Sequence, residues 1–285
     1  MTIDNRCVTC IINQSQKVAK AINASSALEH TLISNIENMS QTFSFTKTPP
    51  QIAADVYKKL SILAQKEDLY DEVKQHSTKK ALSFIPKLQE KLQTSSDKFL
   101  TATKIAVAGN VIDLAAEVEF DLGDELEKIF ETNFACDDTK QLQTKLTHAN
   151  KVVILGDNVG EHIFDALFIQ TLQELYPNKE YYYFVRGVPI INDVTYKEAK
   201  EAGFDTFCTI IDSGVNTPGF DYKRASKKAQ KLFDEADIII SKGMGNYESL
   251  SPSHRKNICF LLKVKCEVVA NALQKEVGDI ICKID

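Results

Sequence analysis

Residues 151–175 read KVVILGDNVGEHIFDALFIQTLQEL. Val152, Val153, Ile154 and Leu155 form an unbroken apolar run, the polar turn GDNVGE follows, and then apolar residues recur at helical spacing. A short run with no polar interruption suits a strand covered on both faces, so the unit reads as strand, turn and helix of a parallel sheet. The same order repeats downstream. YYYFV (181–185) precedes RGVPIIND, FCTII (207–211) precedes DSGVNTPG, and DIIIS (237–241) precedes KGMGNYE. EVVA (267–270) reads as one more strand, and 160–176 and 223–235 read as intervening helices. Strands alternating with helices predict an α/β domain with a mostly parallel central sheet. In such a sheet the turns at the carboxyl ends of the strands converge on the ligand crevice.

Upstream of this region the character changes. Every Gly lies at or after Gly109, and residues 1–100 are rich in Ala, Leu, Lys, Gln and Glu. Ile33, Ile36, Met39 and Phe43 recur at helical spacing, as do Val56, Leu60, Leu63 and Ala64. Pro49-Pro50 marks a break, with Thr48 extended before it. The expected division is a helical N-terminal domain over 1–100 and an α/β catalytic domain over 101–285.

Bulk properties narrow the function classes. The chain has 285 residues, 44% hydrophobic and 26% charged, and a formal net charge of -5. That balance argues against a nucleic-acid partner, and no apolar run is long enough to suggest a membrane span. The N-terminus lacks the apolar core of a secretory signal. Seven scattered cysteines favour reduced thiols and a cytoplasmic location over a disulfide framework. Cys7 and Cys10 form a CxxC, but a tetrahedral zinc site needs four ligands and a redox motif of the thioredoxin type needs a preceding strand. Inert or weakly functional cysteines are therefore expected, with Cys10, Cys136, Cys208, Cys259, Cys266 and Cys282 all at buried positions.

Four constellations offer chemistry. In GDNVGEHIFD (156–165), Asp157 and Asn158 present hard oxygen donors between strand and helix, and Glu161 opens the helix. A helix-capping role for the first two is an equal alternative. In VRGVPIINDVT (185–195), Asp193 follows the next strand. It is either a ligand or a cap, and Arg186 is either a planar fork for phosphate or a structural ion-pair partner. In ISKGMGNYESL (240–250), Gly243, Gly245 and Asn246 follow Lys242, a composition that lets backbone amides and a point charge meet an anion. Neither the P-loop nor the dinucleotide fingerprint is present. AVAGNVIDL (106–114), with Asn110 and Asp113, reads by itself as a turn between helices.

In order, AGNVID, GDNVGE, VRGVPIIND-T, SKGMGN-E and FLLKVKC resemble the DUF89, ARMT1-like family of metal-dependent damage-control phosphatases, and the N-terminal CxxC points to its small stand-alone microbial subgroup. The resemblance implies a helical part plus an α/β domain. It implies a divalent ion (Mn, Co, Ni or Mg) held by Asp157, Asn158 and Asp193. It further implies phosphate or substrate contacts from Asn110, Glu161, Lys242, Asn246 and Lys263, with Lys265 two residues from the last. The expected function is hydrolysis of small phosphate monoesters, such as sugar phosphates or phosphopantetheine-type compounds, including damaged or side-product metabolites. Asp157, Asp193, Glu161 and Lys242 carry the chemistry in this reading, and Glu161 or Asp193 serves as general base. Two rivals come from other classes. One is an S-adenosylmethionine-dependent protein carboxyl methyltransferase, which GDNVGE suits poorly. The other is a non-catalytic module that binds a phosphometabolite.

Overall fold

The computed structural model describes the backbone of residues 1–111 and 122–285, with the side chains of 110–126 outside the described residues. The N-terminal helices are α1 (Asn5–Ala21), α2 (Ser26–Ser40), α3 (Pro49–Ala64), α4 (Asp71–Thr94) and α5 (Lys98–Val111). They are followed by α6 (Leu122–Glu131), β1 (Cys136–Asp137), α7 (Thr139–His148), β2 (Lys151–Leu155), α8 (Glu161–Leu175), β3 (Glu180–Val185), α9 (Tyr196–Glu201) and β4 (Thr209–Asp212). The chain closes with α10 (Lys227–Glu235), β5 (Ile238–Lys242), α11 (Gly243–Leu250), β6 (Ile258–Lys263), α12 (Glu267–Leu273) and β7 (Ile280–Ile284).

Local signals act as expected in the helical part. Thr48 is extended, its side chain accepts the Gln51 amide, and the Gln51 side chain accepts the Thr48 amide. Pro49 and Pro50 occupy the first positions of α3, where no amide donor is required.

Among the described residues the sheet runs β1-β7-β6-β5-β2-β3-β4. β2 pairs in parallel with both β3 and β5, β3 with β4, and β5 with β6. Only β7 runs against its neighbour β6, and β1 closes that edge parallel to β7. The chain moves outward from β2 through β3 and β4, then returns to the other side of β2 at β5. The boundary between β2 and β5 is thus the topological switch point, where a crevice opens.

One strand expectation is corrected. EVVA lies in α12, not in a strand. Val269 and Ala270 are buried while Glu267 and Asn271 are exposed, a one-sided pattern that a four-residue apolar run does not reveal. The late strands are β6, which holds FLLK of the FLLKVKC motif, and β7.

Alternate strand residues feed opposite cores. Val152 and Ile154 of β2 join one cluster with Phe164 and Phe168 of α8 and Ile105 and Ala106 of α5. Val153 and Leu155 join another with Phe233 of α10, Tyr247 of α11 and Val269 of α12. Helices therefore cover both faces, which explains the unbroken apolar runs. A third cluster unites α1–α3 with Leu69, Tyr70 and Ile190, the last from the loop that carries Asp193. Ala81, Leu88 and Leu92 of α4, and the buried apolar residues of α5, enter the first of these cores. No helix among the described residues is long and apolar enough to cross a membrane.

Candidate active site

Beyond the end of β2, the Gly156 amide still bonds the Phe184 carbonyl at 3.0 Å, so the chain stays beside β3. A Cβ at Gly156 would stand 2.6 Å from the Tyr183 hydroxyl, which restricts the position to glycine. The turns after β2 and β3 are then stitched together by backbone. Val194 donates to the Asp157 carbonyl at 2.8 Å, Val159 donates to the Asn192 carbonyl at 2.8 Å, and Asn158 faces Asp193 in an isolated bridge. This stitching brings Asp157, Asn158 and Asp193 to one place. The capping alternatives fall away. The cap of α8 is Gly160, with no side-chain cap bond, and the cap of α9 is Thr195, in a reciprocal box with Glu198.

The charges around these three residues are unevenly balanced. Arg186 is buried; its Nε donates to Asp193 Oδ2 at 2.6 Å, and Nη2 stands 3.8 Å from Asp157 Oδ1 without a hydrogen-bond partner. Burial, then the neighbouring Glu161 and Asp193, push the Asp157 carboxyl well above the usual carboxylate range, while Arg186 and Lys265 oppose the shift. Burial also raises Asp193, against the pull of Arg186. Asn158 Nδ2 donates to Asp157 Oδ2 at 3.2 Å and to Glu161 Oε1 at 2.9 Å.

No group of three His, Cys, Asp or Glu among the described residues already forms a metal cage. The donor set here is two carboxylates and one amide oxygen. Crowded, buried acidic groups, with Asp157 pushed above the usual carboxylate range despite Arg186, fit a hard divalent cation, and oxygen-only ligation matches Mg or Mn chemistry.

The turn after β5 presses on this cluster. Gly243 has φ 74°, and a Cβ there would fall 1.9 Å from Asp157 Oδ2. A Cβ on Gly245 would stand equally close to the Pro218 carbonyl oxygen. Asn246 is fully buried and uses both ends of its amide. Its Oδ1 accepts from Phe220 N at 2.7 Å, and its Nδ2 donates to the carbonyls of Lys242 at 2.7 Å and Gly156 at 3.1 Å. It ties the β5 turn to the β2 turn. Lys242 Nζ donates to Asp165 Oδ1 at 2.5 Å, and Tyr183 Oη donates to Asp165 Oδ2 at 2.9 Å. Burial works against the Lys242 ammonium, but Asp165, Glu161 and Asp157 outweigh it and raise its pKa. At the end of α5, a Cβ on Gly109 would stand 2.9 Å from Glu161 Cα, so the AGNVID segment begins against the GDNVGE turn. The side chain of Asn110 and all of Asp113 lie outside the described residues.

A cavity of about 640 Å³ opens over the cluster. Its strand side presents Asp157, Asn158, Asp193, Gly245 and Lys265, and its opposite side is the α1 face carrying Arg6, Cys7, Cys10 and Gln14. Glu161, Arg186, Gly243, Lys242, Asn246 and Lys263 are not among the described lining residues. Of the two lysines in FLLKVKC, Lys265 reaches the cavity, whereas Lys263 ends β6 opposite Ile280.

The family model for the damage-control phosphatase ARMT1-like domain matches residues 3–281. The chain belongs to this family. A damage-control phosphatase from Pyrococcus horikoshii, PH1575, is 31% identical over 99% of the chain and 98% of its own length. A damage-control phosphatase from Archaeoglobus fulgidus is 29% identical over 100% of this chain and 99% of its own length. The crystal structure of the P. horikoshii DUF89 protein superposes with a TM-score of 0.91 at 30% identity, covering 100% of this chain and 99% of that one.

Within this damage-control phosphatase fold, sequence reasoning overlooked three parts of the site. Asp165, the partner of Lys242, lies four residues after Glu161, one helical turn along the same face of α8. Lys265 was shadowed by Lys263. The α1 wall gives no local signal, because only tertiary packing carries residues 6–17 to the carboxyl ends of the strands. Cys10 is exposed rather than buried, since it faces the cavity.

Proposed function

We propose that this chain is a metal-dependent phosphatase acting on phosphate monoesters of small metabolites, including damaged or side-product compounds such as sugar phosphates or phosphopantetheine-type molecules. The observation that carries the reading is the convergence of Asp157, Asn158 and Asp193, from two different strand ends, on one cavity at the switch point of the sheet. The names of the relatives support the same activity.

In this reading Asp157, Asn158 and Asp193 hold a divalent ion (Mn, Co, Ni or Mg), whose chemistry is Lewis-acid polarisation of a phosphoryl oxygen. Arg186 orients Asp193 through Nε and balances Asp157. Glu161 acts through the Asn158 amide, which it holds from behind. Of the two carboxylates considered for taking a proton from the attacking water, Asp193 lines the cavity and Glu161 does not, so the proton is assigned to Asp193. The phosphate oxygens meet Lys265 and the first amides of α11 near Gly245, a helix start that favours anions. Lys242 and Asn246 support this turn from beneath.

The test is hydrolysis of p-nitrophenyl phosphate by metal-stripped protein, with Mn, Co, Ni or Mg restored, beside Asp157→Ala. Metal-dependent turnover that the variant loses is expected. Folded protein that binds metal yet turns over nothing would transfer the assignment to a binding module. Methyl transfer from S-adenosylmethionine surviving chelation would favour the methyltransferase.

A further inference from the structure

Three of the seven cysteines meet at the cavity although they come from opposite ends of the chain. Cys7 and Cys10 lie on α1, Cys266 precedes α12, and all three line the same cavity as Asp157. Cys10 is exposed and Cys7 is buried, with a relative exposure of 9%. Cys7 is the third residue of α1, and its amide bonds the Asp4 carbonyl at 2.9 Å. Three residues along an α-helix separate Cα atoms by about 5 Å. Disulfides take Cα separations of roughly 4.4–6.8 Å, so this pair can bridge within one helical turn without unwinding α1. The other thiols lack that combination. Cys259 and Cys282 have sulfurs 3.8 Å apart but are sealed in the core, and Cys136 and Cys208 sit apart on other elements.

We propose that Cys7 and Cys10 form a reversible thiol-oxidation site in the wall of the catalytic cavity. The oxidant is a hydroperoxide. The Cys10 thiol reduces it, giving a sulfenic acid at Cys10 and releasing the hydroperoxide's alcohol or, from hydrogen peroxide, water. The Cys7 thiol then attacks the sulfenic sulfur, the S–S bond forms, and the sulfenic hydroxyl leaves as water with the Cys7 thiol proton. Two thiols lose two hydrogens in all, and a dithiol reductant restores them. Cys10 attacks because it is exposed. Cys7 resolves because burial keeps it from the oxidant yet one turn from Cys10. Burial also raises the pKa of Cys7, consistent with the second role rather than the first.

The full-length protein is treated with hydrogen peroxide, free thiols are alkylated under denaturing conditions, and tryptic peptides are weighed. Cleavage after Arg6 and Lys17 leaves both cysteines on one peptide, so the bridge reads directly as the loss of two hydrogens from residues 7–17. The expected result is that this loss precedes oxidation at Cys136 or Cys208, reverses with dithiothreitol, and vanishes in Cys10→Ser, an exposed position where folding is not at stake. Cys208→Ser serves as the control and leaves the bridge intact. A bridge from Cys10 to Cys266, oxidation of Cys10 no faster than that of Cys208, or oxidation that stops at an unbridged sulfur acid would each overturn the proposal. The readout is mass, so it stands or falls independently of phosphatase activity.

Discussion

On the strand side of the cavity the charged groups other than the exposed Lys265 are buried, and each of those is held by a neighbour. Asp193 is gripped by Arg186, Asn158 spans Asp157 and Glu161, and behind them Lys242 is locked to Asp165. On the α1 side Arg6 is exposed and pairs with Asp4 and Glu267 at the surface, while Gln14 and Lys17 stand at the rim. Exposed pairs of that kind contribute little to stability, whereas a buried pair broken on one side is costly. The contrast teaches a division of labour. The strand side is held within narrow limits by buried pairs, and the α1 side is tied only by exposed ones.

The largest expected effect breaks the strand side at its centre. Asp157→Ala should lower kcat/KM on p-nitrophenyl phosphate by more than about 10³-fold, beyond the ~10²–10³ of a single electrostatic contact, because metal affinity falls as well. Calorimetric metal titration should register the second loss separately. Next, Lys242→Met leaves Asp165 buried without its cation. Urea denaturation should show a destabilisation of about 3–5 kcal/mol, part of which returns when Asp165→Leu is added.

His162 tests the same side through pH. It is buried, its Nδ1 accepts the Gly160 amide at 2.9 Å, and burial, against the pull of Glu198, lowers its pKa to about 4. A histidine whose folded pKa lies below its unfolded value, about 6.5, binds a proton more readily once unfolded. Its contribution is therefore complete above about pH 6.5 and is lost as pH falls towards 4. The span corresponds to about 3 kcal/mol. His162→Gln should flatten the acid limb of a stability-versus-pH curve by that order, with little change at pH 8 in the slope.

The smallest effect probes the boundary between the two sides. Lys265 is exposed yet lines the cavity beside Asp157. Lys265→Ala should raise KM for a phosphate ester about tenfold, the order of one charged hydrogen bond, and leave the denaturation midpoint unchanged. Equal KM values for the two proteins would remove Lys265 from the phosphate contacts and sharpen the line between the walls.

Much of this site was legible because parallel α/β architecture puts its chemistry in short, contiguous turns. Asp157 and Asn158 follow a strand that announces itself by an unbroken apolar run, and Asp193 follows the next. What stayed hidden depends on partners distant in sequence. Lys242 reads as a phosphate-binding cation from its glycine-rich neighbours, but the fold gives it Asp165 of α8. Asn246 reads as a ligand, but the fold spends its amide on joining two turns. EVVA reads as a strand because four residues are too few to separate a period of two from a period of 3.6.

By itself, the sequence determined the alternation of strands and helices, the gly-free helical beginning, and the residue types at each strand end. These follow from local periodicity and backbone freedom, which neighbours along the chain control. Only the tertiary structure decided which of those residues face the cavity, which stand behind it, and that Cys7, Cys10 and Cys266 line one cavity. Those outcomes depend on the order of strands across the sheet and on where α1–α3 dock. Both are settled by burial of apolar surface between segments far apart in the chain, a term that no local window contains.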